Sequence, residues 1–133
     1  MPLAESGTRF RLRFAVLAVA AISLGLAVHW GGGRFPASVR DVLGDALWAV
    51  MITGWVGAIV PGMASGRRGL VAFGICALVE LSQLYHAPAL DALRRTTLGH
   101  LVLGSDFDAR DLAAYGLGVL AIMVLERRLR SRR

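Results

Sequence analysis

There is no lysine in this chain; all 15 of its basic residues are arginine. That bias needs no cause beyond codon usage. Cysteine is almost missing too. The single Cys76 excludes an intramolecular disulfide and a cysteine-based metal site. Acidic residues number only nine, which leaves a formal charge of +6. Polar side chains are few enough that 56% of the chain is hydrophobic and the mean hydropathy is +0.59. An ordinary soluble domain is less apolar than this. A basic chain suits a nucleic-acid binder, but here the arginines sit in short groups between apolar runs, the charge pattern of membrane flanks. No nucleic-acid partner is expected. At 133 residues the chain is expected to be one domain.

Four apolar runs carry the fold. A polar head with Arg9, Arg11 and Arg13 precedes the first, over residues 14–30. Seventeen residues span roughly 26 Å as a helix, enough for a thin bilayer core. No small-x-small cleavage site precedes Gly31-Gly32-Gly33, so this run reads as an uncleaved span. The second run covers residues 42–60 and is stopped by Pro61-Gly62. Asp41 fits the role of its N-terminal cap. Residues 63–69 read as a tight loop with Arg67 and Arg68, the third run covers 70–86, and the fourth covers 108–125. Between runs three and four, Leu98 to Gly104 is apolar but too short to cross. It predicts a short interfacial or re-entrant helix. The expected fold is therefore all-α: a four-span transmembrane helical bundle.

Arginine sets the orientation. Arg9, Arg11, Arg13, Arg67, Arg68 and the five tail arginines fall on one side; Arg34, Arg40, Arg94, Arg95 and Arg110 fall on the other. The positive-inside rule puts the first side, with both termini, in the cytoplasm. The acids show the opposite bias, with only Glu5 and Glu126 inside. Gly54, Gly57, Gly69, Gly74, Gly116 and Gly118 read as places where helices approach closely.

Polar side chains concentrate where the spans meet the outer face. Glu80, Gln83 and His86 end run three. Asp45 lies one turn into run two; Asp108, Asp111 and Tyr115 open run four. Asp106, Arg94, Arg95 and His100 lie in the connecting segment, and His29 with Trp30 ends run one. An ionisable group in a lipid-facing helix costs several kcal/mol, roughly 3 on insertion scales, so these residues are functional candidates. The inner halves hold only Ser23 and Thr53 as noteworthy polar side chains. Three chemistries fit the outer cluster. Arg94 and Arg95 can clamp an anion. The carboxylates and histidine can hold a divalent cation, although Asp106-x-Asp108-x-x-Asp111 matches no EF-hand spacing. Glu80 can exchange a proton. A network that merely ties the helices together is the fourth possibility.

Three stretches carry a likeness. They are Arg40-x-x-x-Gly44-Asp45, Val79-Glu80-x-x-Gln83, and Leu103-Gly104-Ser105-x-Phe107-Asp108-x-x-Asp111-Leu112-x-Ala114-Tyr115-x-x-Gly118. Together they resemble the DUF2809 family of small bacterial membrane proteins, over about Arg11 to Leu125. More distantly, Glu80, Gln83, Arg94 or Arg95, and Asp111-x-x-x-Tyr115-x-x-Gly118 look VanZ-like, with Tyr115 standing where that pattern has Asn. The first resemblance implies a bacterial multi-pass membrane protein of unknown function; the second implies a link to cell-envelope biology. The expectation is an inner-membrane protein that recognises or processes an envelope lipid or phosphate-bearing headgroup. Glu80 and Asp111 would be the central acids. Gln83, His86, Arg94, Arg95, Tyr115, Asp45 and Asp108 would contact substrate. The cofactor and any metal stay unassigned. The alternatives are a small transporter or proton-coupled channel subunit acting as a homo-oligomer, and a structural membrane partner protein.

Overall fold

A computed structural model describes residues 2–132. Met1 and Arg133 lie outside the described residues, as does the side chain of Glu5. Six α-helices and one 3-10 turn make up the described chain, which contains no strand. They are α1 (Pro2–Trp30), the turn Gly32–Arg34, α2 (Ala37–Ile59), α3 (Ser65–Ser82), α4 (Pro88–Arg94), α5 (Thr97–Leu103) and α6 (Ala109–Ser131). The all-α expectation holds.

Several boundaries move. Helix α1 takes in the polar head, where Ser6, Gly7 and Thr8 are weak helix formers but Arg9, Arg11, Leu12 and Arg13 are good ones. Helix α2 starts directly after Pro36, so Asp41 sits inside the helix and is not its cap. Helix α3 starts at Ser65, which puts Arg67 and Arg68 on the helix rather than in a loop. Its regular part stops at Ser82, and Leu84 and Tyr85 continue as tight turns bonded to Leu81 and Ser82. The connecting segment holds two short helices where one was expected. Pro88 opens α4 at its first turn, where its missing N–H costs nothing. Thr96 caps α5 by accepting the Gly99 N–H at 3.0 Å.

Helices α2, α3 and α6 pack against one another, and α1 lies along α2. The shared core is small: Ala49, Ala72, Cys76, Tyr115 and Val119. Two glycines set the spacing. A Cβ at Gly54 would stand 2.9 Å from the Phe14 carbonyl of α1, and one at Gly118 would run into the Ala46 carbonyl of α2. Gly74, by contrast, faces open space, so it spaces no helices within this chain.

The burial pattern is inverted relative to a soluble protein. Leu70, Leu78 and Leu117 are 76%, 69% and 61% exposed, while Glu80, Arg68 and Thr53 are 0–1% exposed. Over Ser6–Trp30 and Ala37–Ile59, α1 and α2 are long and apolar enough to cross a membrane. Helix α3 carries Arg67, Arg68 and Glu80, and α6 is charged at both ends, so neither is as uniformly apolar.

Candidate functional site

One stripe of α3 organises the interior. Arg68, Ala72, Cys76 and Glu80 recur every four residues, and all four are buried. Glu80 lies where α3 ends and α6 begins. Its Oε1 accepts the backbone N–H of Asp108 at 2.7 Å. Its Oε2 accepts the Tyr115 hydroxyl at 3.0 Å and the Gln83 amide at 3.2 Å. Asp108 is the N-cap of α6, so the carboxylate sits at a helix N-terminus, where the dipole favours negative charge. Asp108 itself caps, accepting the Arg110 N–H at 2.9 Å, and directs no carboxylate at Glu80. Gly104 covers Gln83 with φ 67° and ψ −166°, a region only glycine adopts readily.

Asp45 of α2 and Asp111 of α6 form a second feature. Their carboxyls are close enough to share a hydrogen bond. The other charges acting most strongly on the pair are Glu80, Asp41 and Asp108, all acids. Both side chains are only partly buried. Two neighbouring carboxylates repel one another, and a proton or cation between them would relieve that repulsion.

Arg94 is committed elsewhere. It donates to the carbonyls of Ser82 at 2.7 Å and Tyr85 at 2.8 Å, and it pairs with Asp91 at 3.2 Å. A cation at a helix C-terminus satisfies the carbonyls that the helix leaves free, so Arg94 closes α3. His86 turns outward and meets Asp91 at 3.2 Å. Those two bonds, the one from His86 foremost, hold the Asp91 carboxyl below its ordinary range. Arg95 is exposed and forms no ion pair among the described residues; His29 and His100 are exposed too. Glu80, Gln83, Tyr115, Asp45, Asp111 and the Asp108 backbone therefore come together. His86, Arg94 and Arg95 belong to the neighbouring rim. Among the described residues, no three His, Cys, Asp or Glu side chains are grouped to hold a metal. A shallow groove of about 480 Å³ lies along the end of α1, between Leu24 and Phe35, and none of the acids lines it.

The opposite end of the bundle corrects one expectation. It is not free of buried charge. Arg68 is 1% exposed, lies 3.3 Å from Glu126, and stacks over Phe14 with its guanidinium carbon 4.4 Å from the ring centre. The available signal was the four-residue spacing from Arg68 to Glu80.

Residues 35–119 match the family described as a protein of unknown function, DUF2809, over more than half of the chain. The chain belongs to the DUF2809 family. The matched stretch runs from the turn before α2 into the middle of α6, so the Glu80 cluster and the Asp45–Asp111 pair both lie within the DUF2809 region. Glu126, the partner of Arg68, lies beyond it. The DUF2809 match does not carry the VanZ-like likeness, although Tyr115, at the Asn position of that pattern, donates a hydrogen bond to Glu80. No solved structure matches the chain.

Proposed function

We propose that this DUF2809 protein is a four-span bacterial inner-membrane protein, both termini cytoplasmic, that recognises an envelope lipid headgroup at its outward face. The headgroup is of the amine-bearing phosphate type. The observation that carries this reading is the Asp45–Asp111 pair, two acids from different helices without a basic residue among their strongest neighbours. A network built only for stability would pair acid with base. An ammonium group supplies both the missing charge and the missing donors. Glu80 then acts as scaffold, since all its bonds go to its own chain and hold α3 to the start of α6. Arg94 is likewise occupied, which leaves exposed Arg95 and Arg110 as candidate phosphate contacts at this end.

A shared proton on the same pair also supports the transporter reading. Arg68 weighs against it, because a buried guanidinium packed on Phe14 fills the interior at the other end. The deciding experiment is lipid analysis of purified wild type beside Asp45→Asn/Asp111→Asn. Wild type should enrich phosphatidylethanolamine over phosphatidylglycerol relative to the host membrane, and the double variant should lose the enrichment. Identical lipid profiles would overturn the headgroup reading.

A further inference from the structure

The end of the bundle away from the acid pair holds a different unmet demand. Helix α3 opens at Ser65 behind Ala64, and no side chain caps it. The first N–H to find a carbonyl is that of Arg68, bonded to Ala64 at 2.9 Å. The amides of Ser65, Gly66 and Arg67 are therefore the free donors of a long helix. The approach is clear, since a Cβ built on Gly66 meets nothing within 4 Å. Helical side chains lean back toward the N-terminus. Arg68 follows this, with its Nη2 3.4 Å from the Met63 carbonyl just ahead of the helix. That contact and the 3.3 Å contact to Glu126 are both long for charged hydrogen bonds. The Nε and Nη1 of Arg68 are buried and have no acceptor. Arg67, in the same first turn of the helix, is exposed, and Arg130 is close enough for its charge to act on Arg68. Near this helix N-terminus, Arg68 and Arg130 thus have one acid, Glu126, between them.

We propose that the N-terminus of α3 is a phosphate-binding site, formed by the Ser65–Arg67 amides and the Arg67 side chain, with Arg68 turning its unpartnered nitrogens onto the anion. The phosphate belongs to an anionic lipid headgroup or is free in solution; the chemistry is the same. This inference stands independently of the Asp45–Asp111 reading and uses the opposite end of the molecule.

The test uses the full chain purified in a non-ionic detergent. One arm measures retention of phosphatidylglycerol against diacylglycerol by native mass spectrometry. The other titrates inorganic phosphate by calorimetry. Phosphatidylglycerol should be retained in preference to diacylglycerol. Gly66→Val, placed in open space, and Arg67→Gln, on the surface, should each weaken binding by about ten-fold, the worth of one charge-assisted hydrogen bond. Inorganic phosphate binding with the same variant sensitivity would assign the site to free phosphate; lipid retention alone would assign it to a headgroup. Wild-type indifference to phosphate in both arms would overturn the proposal. So would wild-type affinity in both variants. An equal loss from Arg127→Gln/Arg128→Gln would reduce it to diffuse attraction by a basic surface and overturn it as well.

Discussion

Glu80 and Asp111 are both carboxylic acids at helix ends in the same cluster, yet their surroundings give them different work. Glu80 collects three donors: a hydroxyl, an amide and a backbone N–H. Glu80→Gln removes the charge and turns an N–H toward at least one of them. The expected cost is about 2–3 kcal/mol, read as a lower Tm in detergent, because buried donors are left without an acceptor. Tyr115→Phe removes one of these bonds and should cost about 1 kcal/mol. Asp111→Asn relieves a like-charge contact instead. Its Tm should match or exceed wild type while the headgroup enrichment falls. If Asp111→Asn melts as low as Glu80→Gln, the acid pair is part of the scaffold and the site assignment fails. The sequence marks both positions as acids at the ends of apolar runs. It cannot separate them, because the separation depends on Tyr115 and Asp108, donors that lie 35 and 28 residues away along the chain.

Among the elements, α4 was the least legible. Pro88 reads as a helix stop after run three, and it is one, but it also opens the next helix because its fixed φ suits a first turn. The short helix then carries Arg94 back to the α3 carbonyls. A single sequence does not reveal that return, since an arginine near an acid suits an anion clamp equally well. Asp91 joins His86 to Arg94. Its carboxyl titrates lower in the folded chain than in the unfolded chain, mainly through His86 and then through Arg94. The sign follows: the clasp's contribution is full above the ordinary carboxylate value of about 3.9 and is lost as pH falls through the lowered folded value. Hydrogen exchange of residues 88–94 should therefore show protection, corrected for intrinsic rate, that is steady from neutral pH to about 4 and drops below it. Asp91→Asn should remove the step, with protection low throughout. An unchanged step in Asp91→Asn would assign the transition to another group. Gly104→Ala belongs to the same segment and should be strongly destabilising, because its backbone angles and the Gln83 amide both exclude a Cβ.

For the whole molecule, the four apolar runs were legible because each is unbroken by charge over most of its length, the first three closed by glycine or proline and the fourth by the charged tail from Glu126. Helix existence followed, and boundaries slipped where polar residues continue a helix, as in α1 and at Arg67 and Arg68. What composition alone did not reveal is the charge axis inside. A buried arginine marks one end of α3 and a buried glutamate the other, with Ala72 and Cys76 between them on the same stripe. Arg68 and Glu80 are 12 residues apart, a rise of about 18 Å on a helix, so if α3 crosses a bilayer core of about 30 Å the two charges sit on opposite sides of its midplane, roughly 9 Å from it. Neither then lies at the midplane, where the cost of a charge is greatest. This gives the proposed four-span topology a direct test in intact cells. In a Cys76→Ser background, Ser105→Cys, in the exposed link between α5 and α6, should react with a membrane-impermeant thiol reagent. Ser65→Cys, at the start of α3, should react only after the membrane is opened. Labelling of both positions in intact cells would mean that α3 does not cross. The reverse pattern would put the acid pair in the cytoplasm, and the amine headgroup would then have to come from the inner leaflet.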